Sequence, residues 1–291
     1  MASQSLRSAE PAERFQTESV PDGRTPWQRD RDRVLYCGAF ARLAETTQVL
    51  SPSLGHVIHN RLTHSLKVGQ IARRIAERLL ANNPATVERL GGLDAEAAEA
   101  AGFSHDLGHP PFGHIAEEEL DTLVREAGVD DGYEGNAQSF RIVTRLASSD
   151  AWRQGEGARS GLNLTRLTLD GILKYPWTHG QNPEKTKKWG AYHSEQEIFE
   201  WVRKGRSGFR QSLTAEVMDW ADDITFAIHD LLDFYCAGKI PIERFKAPGS
   251  VQRKRLTSGM FRRMPSWKEA EKDYLESLDQ LVYRFPFDTD H

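Results

Sequence analysis

Apolar residues at Leu62, Leu66, Gly69, Ala72, Ile75 and Leu79, and again at Val217, Ala221, Ile224, Ile228, Leu231 and Tyr235, recur at the three-and-four spacing of an amphipathic helix. No segment carries the sustained period-two alternation of a half-buried strand, so the chain must bury its apolar faces helix against helix. The pattern therefore predicts an all-α protein. Long helices are expected over 62–80 and 211–235. Shorter ones are expected over 34–46, 93–104, 114–125, 136–146, 162–174 and 195–204, with a last short helix around 274–282. Turn-forming residues place loops over 51–56, 82–92, 128–135, 148–160 and 178–192.

The two long helices carry groups that a plain packing stripe does not need. His64 sits beside the buried stripe of the first, with Arg61 three residues earlier on nearly the same face; Asp222 and Asp223 lie inside the second. Between them, the helix over 93–104 delivers His105-Asp106 at its C-terminal end. The run Leu107-Gly108-His109-Pro110-Pro111-Phe112-Gly113-His114 then breaks the helix before another begins, with Glu117 one turn on. A His, a His-Asp pair and a distant Asp on separate helices form a mixed nitrogen and oxygen ligand set. Such a set suits Mn²⁺, Fe²⁺, Zn²⁺ or a similar ion better than Ca²⁺, which prefers an all-oxygen cage. His114 and Glu117, three apart on one face, form a pair in which a carboxylate can orient an imidazole for proton transfer.

Composition closes off other classes. At 291 residues with 38% hydrophobic and 27% charged residues, the chain reads as an ordinary globular protein with room for a substantial core. A formal charge of -4 argues against general nucleic-acid binding. No apolar run approaches a membrane span and the first residues lack a signal-peptide core, so a cytoplasmic protein without membrane contact is expected. Cys37 and Cys236, each in an apolar helical context, are expected to be two buried free thiols.

The order His64, His105-Asp106, Asp222 resembles that of the HD-domain metal-dependent phosphohydrolases. Further stretches narrow the resemblance to the deoxyguanosinetriphosphate triphosphohydrolase-like (dGTPase-like) branch: Arg31-Asp32-Arg33-Val34-Leu35-Tyr36, Thr47-Gln48-Val49, Arg61-Leu62-Thr63-His64-Ser65-Leu66, the run from His105 to His114, and Glu134-Gly135-Asn136-Ala137-Gln138-Ser139-Phe140. It covers roughly residues 24 to 240.

The resemblance implies an HD-domain helical bundle with helical extensions and a metal held by His64, His105, Asp106 and Asp222, with Mn²⁺ or Mg²⁺ foremost and Fe²⁺ or Zn²⁺ also compatible. It favours Asp222 over Asp223; from the residues alone either could be the ligand. It implies His114, supported by Glu117, as the catalytic pair. Gln48 would lie by the deoxyribose and base, Arg61 by the phosphates, His109 beside the ligands or facing substrate, Lys174 and Tyr175 along the pocket, and Asp230 at the sugar 3′-hydroxyl. Some relatives carry His-Asn-Glu-Gln-Ser where this chain has Gly135-Asn136-Ala137-Gln138-Ser139, which leaves more of the water-activating task to His114 and Glu117.

The implied reaction is hydrolysis of a deoxynucleoside triphosphate to deoxynucleoside and inorganic triphosphate, in a homo-oligomer with a possible nucleotide effector. The residues by themselves specify only metal-dependent hydrolysis of a phosphoester or phosphoanhydride. The rival readings are another HD-type hydrolase acting on monophosphates or cyclic nucleotides, and a non-catalytic nucleotide- or nucleic-acid-binding regulator. Residues 1–23 read as a flexible lead-in, 24–240 as the hydrolase domain, and 241–291 as a basic, partly helical extension that is short for the family. From Lys239 to Lys272, ten Lys and Arg face three Asp and Glu, a pattern of a self-paired face or subunit contact more than of a nucleic-acid surface. The close-set Arg24, Arg29, Arg31 and Arg33 fit either a self-paired face or phosphate clamps reaching a neighbouring subunit's site.

Overall fold

Helices make up the regular structure of the computed structural model, which describes residues 10–17, 22–47, 59–147, 161–240, 242–245, 247 and 249–284. Among these residues there is no sheet, and extended pairing is limited to isolated bridges such as Thr47 with Asn60. The all-α expectation holds.

The chain forms two compact units, Met1–Asp230 and Leu231–His291. The first contains α1 (Pro26–Leu35), α2 (Gly38–Ala41), α3 (Arg61–Asn82), α4 (Pro84–Arg89), α5 (Ala95–Ser104), α6 (Gly113–Glu126), α7 (Gly135–Arg141), α8 (Arg166–Ile172), α9 (Gln196–Arg203) and most of α10 (Leu213–Cys236). The Ala-rich α5 is its centre, buried from Ala97 to Ser104 and packed against α1, α3 and α8. The second unit holds α11 (Val251–Arg263) and α12 (Glu271–Arg284), with Leu278 and Val282 packed among Leu231, Tyr235, Ile240, Phe245 and Tyr274. The basic stretch contributes α11, where buried Arg253 pairs with Asp279.

The expected helix over 34–46 is instead three pieces. Thr25 and Gln28 form a capping box with Pro26 at the first helical turn, so α1 starts earlier than the apolar pattern indicates. Extended backbone at Cys37 then ends that run before α2 and a 3₁₀ turn over Arg42–Glu45. Val34, Cys37, Phe40 and Leu43 are the buried apolar side chains over 34–46. The misleading feature is the density of charge in α1, which is largely satisfied inside the chain. Asp30 is fully buried and accepts from Thr165 and Arg14. Arg24 pairs with Asp22 and Asp32, Arg31 with Glu99, and Arg33 donates to the carbonyls of Leu162 and Asn163. These contacts match the self-paired alternative for the arginines.

Other boundaries also move. The helix expected over 162–174 shortens to α8 because Asn163 adopts a left-handed φ of 47° and Thr165 caps the helix start. The expected turn over 82–92 contains α4, begun by Pro84. Both cysteines are free thiols, but Cys236 is exposed and only Cys37 is buried. No helix among the described residues is long and apolar enough to cross a membrane.

Close approach of α3 and α5 sets the spacing of the site they carry. A Cβ on Gly102 would lie 2.7 Å from the Gly69 Cα, a contact that backbone cannot relieve cheaply. Gly102→Ala is therefore expected to lower unfolding free energy by about 1–3 kcal/mol through overpacking, despite alanine's better helix propensity. Urea unfolding of the variant with unchanged stability would show that the helices do not need this contact.

Candidate metal centre and catalytic cleft

Three helices bring the predicted ligands together. A capping box between Asn60 and Thr63 starts α3 at Arg61, and this phase turns Arg61, His64, Ser65 and Val68 inward. Thr63 and Leu66 consequently face outward, contrary to the stripe expected from the sequence. At the far end of α5, His105 retains helical backbone as the C-cap and Asp106 follows it into the turn. The Ser139 hydroxyl clasps that turn, accepting from Gly108 N–H at 2.9 Å and donating to the His105 carbonyl at 2.8 Å. No side chain fits at Gly108, where a Cβ would stand 2.2 Å from Ser139 N.

His64 Nε2 lies 3.0 Å from Asp222 Oδ1 and His105 Nε2 lies 3.5 Å from the same oxygen. These three residues present ligand atoms that all fall within 4.8 Å of one another. His105 Nδ1 donates to the Gly102 carbonyl at 2.7 Å, so that in the neutral, ion-binding form of the ring Nε2 carries the lone pair. That nitrogen is buried without a hydrogen-bond partner, as is His64 Nδ1. A buried imidazole lone pair facing a carboxylate is the arrangement a divalent cation would satisfy, so the donor set fits one. Asp106 stands alongside: its Oδ2 takes a 2.7 Å ion pair from Arg61, and its Oδ1 is 3.7 Å from His105 Nε2.

The electrostatics match this arrangement. Burial opposes charge on His105, but Asp106 and Asp222 outweigh it and push the imidazole up to about 9. Burial likewise opposes charge on Asp222, where His105, His64 and Lys174 prevail and hold the carboxyl far below its usual range. The carboxylates thus demand positive charge between the helices.

The turn through Pro110-Pro111 reverses the chain at Phe112 and Gly113, both left-handed with φ of 69° and 62°. Helix α6 begins there and presents His114, whose Nδ1 is 2.9 Å from Glu117 Oε2. His114 is 81% exposed at its side chain while Glu117 is buried. Glu117 also accepts from Gly135 N–H at 2.9 Å and from Lys188 at 3.3 Å, and Lys188 continues to Glu134 at 3.1 Å. Burial alone would raise the Glu117 carboxyl; the Gly135 amide, His114 and Lys188 bring it down to about 2. A carboxyl depressed in the fold contributes stability that is present above its unfolded value, near 4.5, and lost as pH falls through about 2. Glu117→Gln should accordingly flatten the acid side of the stability profile across that window, measured by denaturation at each pH.

These walls enclose a cleft of about 470 Å³ whose lining includes Arg61, His64, His105, Asp106, His109, His114, Lys174, Tyr175 and Asp222. Arg61 is already engaged by Asp106 and by the Pro110 carbonyl at 3.3 Å. His109 Nδ1 stands 3.1 Å from Asp106 Oδ1, at ion-pair distance but not aligned as a hydrogen bond. Burial drives its imidazole down to about 4. Lys174 pairs with Asp219 and Asp222. Asp223 is exposed and sits with Asp219 and Asp222, away from the two imidazoles. Asp230 is half-buried on α10 and is not among the lining residues. Gln48 lies outside the described residues.

Several groups in and around the cleft received no definite role from the sequence. Asn136, Lys188 and Phe226 line it. His229 is buried against His64 with ring centroids 5.6 Å apart, and stacks on His59 at 3.7 Å. Its signal was available, since seven residues bring a helix to within about 20° of two full turns, whereas the eight separating Asp230 from Asp222 overshoot by about 80°.

Comparison with known proteins places this geometry in context. The HD domain family matches residues 61–156. A deoxyguanosinetriphosphate triphosphohydrolase-like protein of Corynebacterium efficiens is 44% identical over 227 residues, covering 77% of this chain and 49% of the relative. Proteins of the same description from Streptomyces coelicolor and Wolinella succinogenes are 42% and 40% identical, over 75% and 80% of this chain and 49% and 55% of their own. The chain spans about half the length of these curated relatives.

Proposed function

We propose that this chain, which belongs to the HD-domain superfamily and resembles the dGTPase-like proteins, is a metal-dependent hydrolase of deoxynucleoside triphosphates that releases deoxynucleoside and inorganic triphosphate. The observation that carries the reading is the convergence of His64, His105 and Asp222 in a cleft that His114, paired with Glu117, also lines. Deoxyguanosine triphosphate is the first substrate to test.

In this reading His64, His105, Asp106 and Asp222 hold a divalent ion, with Asp106 offering Oδ1 while Arg61 secures Oδ2. The ion, Mn²⁺ or Mg²⁺ foremost, supplies Lewis-acid polarisation of a phosphoryl oxygen when bound. Glu117 fixes Nδ1 of His114 and leaves the other ring nitrogen to donate a proton to the departing 5′-oxygen. Lys188 and Arg61 oppose the phosphate charge, while Lys174, paired with Asp219 and Asp222, borders the pocket. His109 faces the substrate from beside Asp106 and Tyr175 flanks the nucleotide; the 3′-hydroxyl role of Asp230, which does not line the cleft, and the base-side role of Gln48, outside the described residues, rest on the family resemblance alone. Homo-oligomerisation and response to a nucleotide effector belong to the same proposal.

The test incubates Mn²⁺-loaded protein with each deoxynucleoside triphosphate, singly and mixed, and resolves the products. Deoxynucleoside plus triphosphate is expected. Monophosphate, orthophosphate alone, or no turnover of any nucleotide would reject it.

A further inference from the structure

Asp219, one turn before Asp222 on α10, has no part in the ligand set or the catalytic pair, yet it holds the shortest ion pair at the edge of the centre. The Lys174 ammonium lies 2.6 Å from Asp219 Oδ1 and 3.1 Å from Asp222 Oδ2. Gln211 closes the arrangement by donating from Nε2 to Asp219 Oδ2 at 3.1 Å and to the Lys174 carbonyl at 2.9 Å. Asp222 is thus shared, with Oδ1 toward the two imidazoles and Oδ2 toward a lysine. The carboxylates of Asp219, Asp222 and Asp223 cluster closely enough to suggest a cation site of their own, but the Lys174 ammonium already lies between two of them.

An ammonium in contact with a ligand carboxylate withdraws negative charge from the position a divalent ion needs. We propose that Asp219 is a positioning residue for the metal centre: it neutralises Lys174 and holds it on Asp222 Oδ2, so that Oδ1 keeps its full charge and a fixed direction toward His64 and His105. This rests on the reading of His64, His105 and Asp222 as metal ligands and extends it to a residue outside that set.

The test is Mn²⁺ affinity of the whole chain without nucleotide, by calorimetry and by loss of the free-ion electron paramagnetic resonance signal. Asp219→Asn keeps the size of the side chain and removes its charge; affinity should fall about tenfold, the lower range for an outer-sphere partner of a metal ligand. Asp219→Glu should recover most of it. In a Lys174→Met background, where no ammonium needs neutralising, adding Asp219→Asn should change affinity by less than about threefold. An equal loss in both backgrounds would mean that Asp219 acts on the metal directly, and unchanged affinity in Asp219→Asn would remove it from the centre; either overturns the inference. Failure of the unaltered protein to bind Mn²⁺ would instead strike the ligand set itself. Circular dichroism of each variant separates lost affinity from lost fold, and the double variant keeps the comparison available if Asp219→Asn alone is unstable.

Discussion

Replacing His105 by Ala or Asp222 by Asn is expected to strip the bound divalent ion and to reduce hydrolysis beyond the roughly 10–100-fold that accompanies loss of an outer-sphere partner. Both side chains converge on one point from different helices, His105 Nε2 and Asp222 Oδ1 standing 3.5 Å apart. With one removed, the remaining buried groups cannot surround a cation, and their own charges lose the partner that offsets the cost of burial. Asp106→Ala should join them, since it removes the Oδ1 donor and leaves the Arg61 guanidinium unpaired in a buried position. Elemental analysis of purified variants, alongside turnover, checks this. Full metal occupancy in His105→Ala and Asp222→Asn would exclude the ligand assignment.

A different signature is expected for the His114–Glu117 pair. His114→Ala and Glu117→Gln should retain metal while lowering turnover by roughly 10²–10⁴-fold, the range for a positioned proton donor. Because the pair acts as the leaving oxygen gains charge, KM should change far less than kcat. The exposed His114 is not needed for packing, so its variant should also keep its thermal stability. Glu117 is more deeply set, tied to Gly135 and Lys188, and its variant should lose some stability as well. A His114 variant with undiminished turnover would remove this pair from the chemistry.

The helical class and the ligand cluster were legible because both depend on local pattern. Three-and-four periodicity marks a helix wherever it occurs, and His105-Asp106 ahead of a Pro-Pro break marks a helix end bearing polar groups. What was not legible depends on partners far along the chain. The charges around α1 left a self-paired face and phosphate clamps equally open, because nothing local shows that Asp30 is buried against Thr165 and Arg14. The inward face of α3 was set by its Asn60–Thr63 cap, which shifted the stripe from Leu66 to Ser65 and Val68. On α10, Ile228 is exposed and His229 buried, the reverse of what hydrophobicity suggests, because His229 packs against the imidazoles of His59 and His64. Lys188 gave no sign in the sequence of its ion pairs to Glu117 and Glu134, since a lysine in a loop carries no periodicity to place it.

Hydrolysis of deoxyguanosine triphosphate in water enriched in ¹⁸O tests the central claim most directly, because it reports which phosphorus is attacked. Attack at the α-phosphorus with cleavage of its bond to the 5′-oxygen places one ¹⁸O in the released triphosphate and none in the deoxynucleoside. Mass spectrometry of the products should find the label there, with no labelled orthophosphate formed early in the reaction. Label confined to orthophosphate would contradict triphosphate release at this centre, and label carried by the deoxynucleoside would place the attack at C5′ and contradict hydrolysis at the α-phosphorus.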